Sequence, residues 1–431
     1  MTGTDSGAPR VAHLSFGDID GGAARATHRL HTALRHAGVD SRMLVRVRDS
    51  DDWTVSGPAS RSQEAMAMLR AQTGHALVRA LGGRRGGAIH SLGLLPSRWP
   101  ERVARGIDGP IDLVHLHWIG GESMSLRDLA RLPRPVVWTL HDMWAFCGAE
   151  HYTDDAPGAR WREGYPPRTS GPGLVDIDRW TWRRKRRAWA RPLQLVAPSR
   201  WMAEQVRASA LLHDWPVAVV PNAIDTQRFQ PLAAPLAREL LGLPRAGPLL
   251  LFGALGGAVG GTADGRKGFD LLATALGRLK AQPGLAPAGL ALAVFGQSAP
   301  RQPPELGFPV HFLGRLHDDT TLRLAYAAAD AFVIPSRQDN LPNTALEALA
   351  CGTPLVAFDQ GGLPDLVDHR RNGWLARAFD ADDLAAGIAW VLDPAHSAAL
   401  RAAARAKAEA AFAAPVVARR HLELYTQVLG R

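Results

Sequence analysis

The chain of 431 residues is 46% hydrophobic and 21% charged, and its formal net charge is +9. This length exceeds what one hydrophobic core usually holds, which predicts two domains of roughly 200 residues. The N-terminus lacks an apolar signal core, and no stretch approaches the roughly 18 apolar residues that span a bilayer, which argues against secreted and membrane-spanning classes. Cys147 and Cys351 match no metal or redox spacing, so we expect reduced thiols in a cytoplasmic protein.

Short apolar runs rich in Val, Leu and Ile alternate with helical patterns along the chain. This alternation predicts an α/β protein with parallel sheets built from strand–helix–strand units. We expect two doubly wound domains that face a cleft, with ligands at the carboxyl ends of their strands. The predicted strands are 11–16, 41–47, 112–118, 135–141, 193–199 and 216–222 in the first half, and 248–254, 290–296, 310–314, 331–336 and 354–358 in the second.

The boundary between the domains is predicted from the stretch 223–248, which carries four prolines and no strand pattern. The interdomain linker is therefore expected near residues 223–247. We assign residues 1–228 to the first domain and residues 229–410 to the second. Residues 411–431 are expected to form a closing helix that packs back on the first domain.

A glycine turn follows the first predicted strand. Gly21 and Gly22 precede a helical pattern, and the free N–H groups and positive dipole at a helix start suit an anion. The turn lacks the G-x-G-x-x-G spacing of dinucleotide-binding proteins. A tight strand-to-helix turn with no bound ligand is the alternative.

Histidines stand at the ends of two predicted strands. His115 and His117 lie in HLHW, and His141 lies in TLHD, where Asp142 follows. Strand ends of a doubly wound sheet face its ligand. A buried structural histidine is the commoner explanation for any one of them, but three at two strand ends favour a site, with His141 as the first choice.

The strongest charge cluster is the run RWTWRRKRRAWAR at residues 179–191, with seven basic residues, three tryptophans and no acid. A helix with interfacial aromatic and cationic side chains predicts docking of the first domain on an anionic membrane surface. The alternative is a helix with buried tryptophans and a solvated basic face. The residues assigned to the membrane contact are Trp182, Arg183, Arg184, Arg186, Arg187 and Trp189.

A second glycine-rich loop, GALGGAVGGTADGRKGF, ends with Arg266 and Lys267 just before a helical pattern. Adjacent cations at a helix start oppose the helix dipole, so they predict a phosphate site. The loop is not a Walker P-loop, because no Gly-Lys-Ser/Thr follows at the required spacing. Solvated surface cations are the alternative.

The most specific stretch is RQDNLPNTALEALACGTPLVAF, which follows the strand 331–336. We predict that Glu347 binds a ribose, because the two oxygens of a carboxylate match vicinal hydroxyl groups, and that Asp339 faces a sugar. The alternative for Glu347 is a capping box with Thr344, which needs no ligand.

In chain order, VPNAID, GRKG, PSRQDNLPNTALEALACGTPLVAF and GGLPDLV resemble the motifs of glycosyltransferase family 4, in the DNLPN-type branch of bacterial polysaccharide enzymes. The resemblance covers nearly the whole chain. It implies the GT-B fold, two Rossmann-like domains facing a cleft, and retaining transfer of a hexose without a metal or cofactor. It also implies that the second domain holds a UDP- or GDP-linked sugar and that the first holds a glycan or lipid-linked acceptor in cell-surface polysaccharide synthesis.

In the second domain, the resemblance implies that Arg266 and Lys267 clamp the diphosphate and that Glu347 binds the ribose. Many relatives carry a phosphate-binding arginine directly after the strand, as Gly-Arg. This chain has Gly253 and Ala254 there, so we expect Arg266 to take over that role.

The resemblance also implies hexose contacts for Asp339, Asn340 and Leu341. The family usually has Glu as the first of its paired acids, so Asp339 is one methylene shorter. His141 is implied to approach the donor sugar from the first domain. The residues expected to carry catalysis are His141, Arg266, Lys267 and Asp339. The glycine loop implied to close over the sugar contains Gly21 and Gly22.

Nothing in the sequence suggests a second carboxylate for a covalent glycosyl intermediate, so we expect the acceptor to attack on the face that the diphosphate leaves. Electrostatic stabilisation of that diphosphate would supply most of the rate. One rival function is a catalytically inactive nucleotide-sugar-binding protein of the same fold. Another is a single-strand nucleic-acid binder that uses the basic run, although we expect no nucleic-acid partner. The expected location is the cytoplasm, peripheral to the inner face of the plasma membrane.

Overall fold

The predicted apolar runs form the strands of two parallel sheets in the computed structural model, which describes residues 9–82, 89–133, 135–168, 175–253, 265–300, 302 and 304–431. One unit comprises the described residues up to Ala223 together with Pro415–Arg431. The other comprises Ile224–Ala414. No helix in the described part of the chain is long and apolar enough to cross a membrane.

The first unit contains, among its described residues, a seven-stranded parallel sheet in the order β3-β2-β1-β4-β5-β6-β7. The strand order reverses between β1 and β4, and ligands of doubly wound sheets bind at such a point. The strands are β1 (Arg10–Gly17), β2 (Asp40–Val47), β3 (Val55–Ser56), β4 (Leu113–Leu116), β5 (Val136–Thr139), β6 (Gln194–Ala197) and β7 (Val217–Val219). The helices are α1 (Gly22–His36), α2 (Arg61–Gly82), α3 (Trp99–Arg105), α4 (Leu126–Arg131), α5 (Ile177–Ala188) and α6 (Arg200–Ala208).

The second unit contains, within the described ranges, a six-stranded parallel sheet in the order β10-β9-β8-β11-β12-β13. Its order reverses between β8 and β11. The strands are β8 (Leu249–Gly253), β9 (Ala291–Phe295), β10 (Val310–Gly314), β11 (Ala331–Ile334), β12 (Leu355–Phe358) and β13 (Gly373–Ala376). The helices are α7 (Ala234–Leu240), α8 (Phe269–Ala281), α9 (Asp319–Ala328), α10 (Asn343–Ala350), α11 (Ala381–Val391) and α12 (Pro394–Lys407), and α13 (Ala414–Leu429) follows and returns to the first unit.

The prediction of two doubly wound parallel sheets is confirmed. The sequence does not predict β3, which has two residues, or β13, whose segment GWLA lacks a run of branched apolar residues. The strands β4 and β5 are shorter than predicted. His117 and His141 therefore lie just beyond their carboxyl ends.

The boundary between the units falls at the start of the stretch predicted as an interdomain linker, and the rest of that stretch belongs to the second unit. Ile224 pairs with Ala413 in a short parallel bridge, and Phe229 is fully buried. In α7, Arg238 is held by an ion pair with Asp330 at 2.7 Å. The unit boundaries therefore lie after Ala223 and after Ala414, five residues before and four residues after the predicted positions 228 and 410.

One face of the first sheet is lined by histidine. His13 of β1 pairs in register with His115 of β4, and His117 lies on the same face because side chains alternate along a strand. His31 of α1 and His421 of α13 cover this face. We call these five residues the histidine layer; all are at most 2% exposed.

Buried hydroxyl groups form hydrogen bonds with both ring nitrogens of His31 and of His115 in the histidine layer. Burial lowers the pKa of all five imidazoles, to about 3 for His31 and to about 4 for His421. The layer is therefore neutral in the folded protein. The hydroxyl contacts are those of His31 with Ser41 and Thr54 and of His115 with Thr139 and Tyr425, at 2.6–2.8 Å.

The basic run forms α5, but its tryptophans do not point outwards. Trp182 and Trp189 are 4% and 6% exposed. Trp189 packs against Trp138 and Trp144, and its indole N–H donates to the Leu126 carbonyl at 3.2 Å. The prediction of interfacial aromatics at these two positions is wrong, because both rings fill the core of the first unit.

The four arginines assigned to the membrane contact divide into two groups. Arg183, Arg186 and Arg187 are exposed. Arg184 instead donates to the carbonyl oxygens of Leu92 and Gly93 at 2.7 and 2.9 Å. Of these four arginines, the three exposed ones remain available to an external anionic surface.

A buried ammonium group explains which face of α5 points inwards. Lys185 is fully buried and donates to the carbonyl oxygens of Trp144, Cys147 and Gly148. Burial lowers its pKa to about 7. The lysine thereby holds the loop that follows β5, which contains the predicted site residue His141.

Replacing Trp189 by Ala is expected to lower the free energy of unfolding by about 3–5 kcal/mol, because it leaves a large cavity in the core. The matched control, Arg187→Gln, removes an exposed side chain and should change stability by less than about 0.5 kcal/mol. Urea unfolding followed by circular dichroism measures both. A Trp189→Ala protein as stable as the wild type would contradict the buried position of this ring.

Acid is expected to destabilise the first unit through the histidine layer. The unfolded state takes up histidine protons near pH 6.5 and the folded state does not, so stability is constant above that pH and falls below it. Each such histidine lowers the free energy of unfolding by about 1.4 kcal/mol for each pH unit below this value, and five together give roughly 7 kcal/mol per pH unit.

Urea midpoints between pH 6.5 and pH 5 measure this slope. The variant His421→Leu removes one titrating imidazole and should reduce the slope by about 1.4 kcal/mol per pH unit. A wild-type slope no larger than that of a single histidine would show that the layer is protonated when folded.

Candidate functional site

The first unit presents a glycine turn beside the reversal point of its sheet. Gly21 caps α1 and Gly22 begins it; both are exposed, and the first turn carries no acidic side chain. Asp18 fixes the turn by accepting hydrogen bonds from the N–H groups of Ile19 and Ser50 and from the Ser50 hydroxyl at 2.6–3.0 Å. Although burial opposes ionisation, these donors hold the pKa of Asp18 below its usual value. The arrangement leaves the positive end of α1 at the surface.

The predicted residue His141 lies at the carboxyl end of β5 and is partly exposed. Its Nε2 lies 3.1 Å from Nδ1 of His117, and Nε2 of His117 lies 2.9 Å from Nδ1 of His13. Burial lowers the pKa of His141 to about 4, against a smaller opposite effect of Asp142. His141 is therefore a neutral imidazole that ends a chain of three. His115 is not in this chain, since both its nitrogens bond to hydroxyl groups.

Asp142 anchors the polypeptide next to His141. Its carboxylate accepts hydrogen bonds from the Trp118 indole at 2.7 Å, from His151 Nδ1 at 2.6 Å and from the Trp144 N–H at 3.0 Å. Burial alone would raise its pKa, but these contacts hold it below its usual value. Asp142 therefore stays ionised and orders the loop after β5.

Ser91, His151 and Asp142 have the spacing of a Ser-His-Asp triad, with His151 Nε2 at 2.8 Å from the Ser91 hydroxyl. Ser91 is 3% exposed, and its hydroxyl accepts the Gly121 N–H at 3.0 Å. The adjoining cavity, which His141 and His151 line, measures about 10 Å³. That volume holds about one water molecule, so the group orders the loop and does not attack a substrate.

Three members of the histidine layer are close enough to be considered as metal ligands. Possible ligand atoms of His13, His115 and His117 all lie within 4.8 Å of one another. Both nitrogens of His115 and both of His117 already lie at hydrogen-bonding distance from protein groups. Hydrogen bonds account for these nitrogens without an ion.

In the second unit, the loops after β8 and β11 bring opposite charges together. Lys267 Nζ lies 2.7 Å from Asp339 Oδ2, and the Arg266 guanidinium lies 3.8 Å from Oδ1. The Ser336 hydroxyl contacts Asp339 at 3.3 Å. Burial favours the neutral acid, but Lys267 and Arg266 hold the pKa of Asp339 below its usual value. These residues lie at the reversal point of the second sheet, where the sequence predicts a phosphate site.

The two loops touch through their backbones. Gly268 caps α8 with φ of 66°, and a Cβ at this position would lie 1.8 Å from the Pro335 carbonyl oxygen. The Arg337 N–H donates to the Arg266 carbonyl at 2.8 Å. A Cβ at Gly361 would likewise lie only 2.4 Å from the Asp339 carbonyl oxygen. Only glycine permits these approaches, so backbone packing fixes the spacing of the charged groups.

Glu347 lies in α10 and is 1% exposed. Its Oε2 accepts a hydrogen bond from the Tyr326 hydroxyl at 2.7 Å. The helix is capped by Pro342 without a side-chain hydrogen bond, and Thr344 lies inside the first turn. The capping-box alternative is therefore wrong, and the carboxylate is ordered by a tyrosine from α9.

The sequence does not predict the residues that form hydrogen bonds with the predicted site residues. Tyr326 gave no signal, because its place in an apolar helix is also that of a core aromatic. Ser336 stands within the motif after β11, and His13 stands on the first strand, but neither carries a spacing of its own. Asn340 and Leu341 are 3% and 5% exposed. Most of the glycine-rich loop, including Ala254, lies outside the described residues.

Two families match the chain, one in each half. Residues 20–228 match the family described as Glycosyltransferase Family 4. Residues 255–394 match the family described as Glycosyl transferases group 1. The second match contains Arg266, Lys267, Asp339 and Glu347.

Similar proteins carry the name D-inositol 3-phosphate glycosyltransferase. The relative from Saccharomonospora viridis is 32% identical over 318 residues, which is 70% of this chain and 67% of that protein. The relative from Xylanimonas cellulosilytica is 32% identical over 347 residues, or 75% and 74% of the two chains. D-inositol 3-phosphate glycosyltransferase 2 from Catenulispora acidiphila is 34% identical over 191 residues, which is 42% of this chain and 43% of that protein.

Solved structures share the architecture at lower identity. Sucrose-phosphate synthase from Thermosynechococcus elongatus has a TM-score of 0.65 and 19% identity, with 98% of this chain and 99% of that chain covered. Anabaena Alr3699/HepE in complex with UDP and glucose has a TM-score of 0.62 and 16% identity, with 97% and 100% covered. The chain therefore belongs to glycosyltransferase family 4, and its two parallel-sheet units have the GT-B fold.

Proposed function

We propose that the protein is a retaining hexosyltransferase that takes its sugar from a nucleoside diphosphate donor held by the second unit. The observation that carries this proposal is the cluster of Arg266, Lys267 and Asp339 at the reversal point of the second sheet. Two cations on one short loop suit a diphosphate, because charge-assisted hydrogen bonds to phosphate oxygens are strong. Family membership supports the same reaction class.

The ion pair with Asp339 suits a site that binds and then releases a diphosphate. The carboxylate keeps Lys267 in place, since Nζ is only 2.7 Å away, while the lysine side chain is 29% exposed. The ammonium group carries three N–H donors, so it can bind a phosphate oxygen without losing Asp339. Developing negative charge on the leaving diphosphate would then be stabilised by groups already in position.

Glu347 is proposed to bind the ribose of the donor. The Tyr326 hydroxyl orients the carboxylate at Oε2. Both of these side chains are buried, so their rotamers are fixed by packing. A fixed carboxylate suits a vicinal pair of hydroxyl donors, which would hold the nucleoside beside the diphosphate clamp.

Retention is proposed to occur by acceptor attack on the face from which the diphosphate leaves. A covalent intermediate needs a carboxylate free to act as a nucleophile. Asp339 does not suit that role, because Lys267 and Arg266 face its two oxygens. In the proposed reaction the leaving phosphate oxygen accepts the acceptor proton, and His141 of the first unit positions a hydroxyl group of the donor sugar.

The donor is proposed to be UDP-linked, with GDP as the comparison. Anabaena Alr3699/HepE is described in complexes with UDP, with UDP and glucose, and with UDP-glucose. The acceptor is proposed to be an anionic molecule with a free hydroxyl, since the net charge of +9 attracts phosphate groups. A lipid-linked glycan meets this description, as does the inositol phosphate named for the relatives.

Turnover of UDP-sugars and GDP-sugars, with each acceptor supplied separately, tests the proposal. We expect transfer with retained anomeric configuration in at least one combination. Slow release of free sugar without an acceptor would also support an intact catalytic site. Tight binding of UDP with no transfer and no hydrolysis would favour the rival function, an inactive nucleotide-sugar-binding protein.

Replacing Lys267 or Arg266 by Ala is expected to lower kcat/KM for the donor by about 10- to 150-fold, the value of one charge-assisted hydrogen bond. Steady-state kinetics with the best donor measures the loss. The matched control is Arg278→Ala, which removes an exposed cation of α8. If all three variants had the same kcat/KM as the wild type, Arg266 and Lys267 would not bind the diphosphate.

Glu347→Gln is expected to weaken UDP binding by about 10-fold or more, because the amide loses the charge that favours two hydroxyl donors. Its carbonyl can still accept from Tyr326, so the melting temperature should change little. Calorimetric titration with UDP measures the affinity, and Glu239→Gln on the exposed side of α7 is the control. Unchanged affinity for UDP in Glu347→Gln would contradict the ribose contact.

A peripheral membrane contact, if the acceptor is lipid-linked, is proposed to use Arg183, Arg186 and Arg187 without help from tryptophan. Each cation near an anionic surface contributes about 1 kcal/mol, so binding should be reversible and salt-sensitive. Sedimentation with phosphatidylglycerol vesicles should recover wild-type protein at low salt and much less of the triple Gln variant. Equal recovery of both, or none of either, would contradict a membrane role for α5.

A further inference from the structure

His13, His117 and His141 form a line from the interior of the first sheet to its carboxyl edge. They come from three neighbouring strands, with His13 on β1, His117 after β4 and His141 after β5. The two N···N distances along this line are 2.9 and 3.1 Å. Adjacent rings are nearly parallel, at 27° and 29°. Each contact is therefore an N–H···N hydrogen bond between imidazoles.

Because the three imidazoles are neutral, the number of N–H donors in this line of histidines is fixed. Burial lowers the pKa of His13, His117 and His141, so each ring carries a single N–H at neutral pH. Two N···N contacts need two donors, so the donors run either outwards from His13 or inwards from His141. The direction decides which nitrogen of His141 carries its proton.

The inner end of the chain selects the direction. Nε2 of His13 is buried and has no hydrogen-bond partner among the described residues. If the donors ran inwards, this atom would be an N–H without an acceptor. If they run outwards, it is only an unpaired acceptor, and buried donors without partners are the rarer of the two. The outward direction is favoured: His13 Nδ1–H donates to His117, and His117 Nδ1–H donates to Nε2 of His141.

The neighbouring groups do not compete for these protons. His31 donates from Nε2 to Thr54, because the Thr54 hydroxyl itself donates to Asp52 at 2.6 Å. His115 is held at both nitrogens by hydroxyl groups. His421 contacts the carbonyl oxygen of its own helix. Asp142, beside His141, is occupied by Trp118, His151 and Trp144.

We propose that His117 and His13 are positioning residues that hold His141 as the tautomer protonated at Nδ1. The inner hydrogen bond to Nε2 also fixes the plane of the His141 ring. The use of this Nδ1–H as a donor to a sugar hydroxyl oxygen rests on the proposed function. The tautomer itself depends on the first unit alone and is measurable without a substrate.

Nuclear magnetic resonance of the full chain with ¹⁵N-labelled histidine tests the tautomer directly. At pH 7.5 we expect His141 to show a protonated Nδ1 and an unprotonated Nε2, with the signal assigned by its loss in His141→Gln. A protonated Nε2 would overturn the proposal. A transition metal present at one ion per chain in the purified protein would also overturn it, because a metal would take the lone pairs on which the chain depends.

Variants at His117 test the positioning role. His117→Leu removes the donor to His141 and should lower kcat by about 10-fold while the KM for the nucleotide sugar changes little. His117→Asn should restore most of the rate, because its amide N–H can occupy the place of Nδ1. The matched control is His421→Leu, which removes a buried imidazole outside the chain.

Equal losses of kcat in His117→Leu, His117→Asn and His421→Leu would overturn the positioning role and leave only a role in packing. A protein that transfers no sugar at all would contradict the proposed function, while the tautomer assignment would stand or fall on the resonance experiment. Should His117→Leu fail to fold, the resonance measurement on the wild type still decides.

Discussion

A polar group buried between a sheet and its covering helices has no water to bond with, so it must find a partner within the protein. This constraint governs the first unit. The face of its sheet that carries His13, His115 and His117 is covered by α1 and α13, which contribute imidazole and hydroxyl groups of their own. The result is a neutral layer of imidazole and hydroxyl groups where an apolar core would be usual. His117 of that layer contacts His141, so the core of the unit reaches the candidate site.

The same constraint acts on charge in both units. Lys185 lies under the loop after β5 and satisfies its ammonium group with three backbone carbonyls, which gives the loop one conformation. Lys267 and Asp339 satisfy each other at the edge of the second sheet. Buried ion pairs stabilise a fold little, because desolvation offsets their attraction. Their value here is geometric: each holds a loop at a strand end in one position.

The sequence predicts the sheets well because branched apolar runs bounded by glycine and proline are local signals. The strands that it does not predict are β3, which has two residues, and β13, which lacks a run of branched apolar residues. The sequence also predicts that Lys267 and Asp339 lie at the same edge of the second sheet, because the carboxyl ends of parallel strands lie on one side. It assigns the wrong face to α5, since aromatic and basic residues at helical spacing suit a membrane surface and a tryptophan core equally well. The burial of Lys185 decides between them, and burial depends on tertiary contacts. Likewise, the position of the N-cap at Pro342, which excludes a capping box between Thr344 and Glu347, is known only from the structure.

The return of α13 to the first unit brings together residues that are distant in sequence and are therefore synthesised at different times. The Tyr425 hydroxyl bonds to His115 across 310 residues. The ribosome synthesises the whole second unit after His115 and before Tyr425, so α13 cannot cover the histidine layer while that unit is made. Domains usually fold as their sequences emerge, N-terminal first. Here the second unit can be complete before the first, and the first closes its core only after α13 has been synthesised.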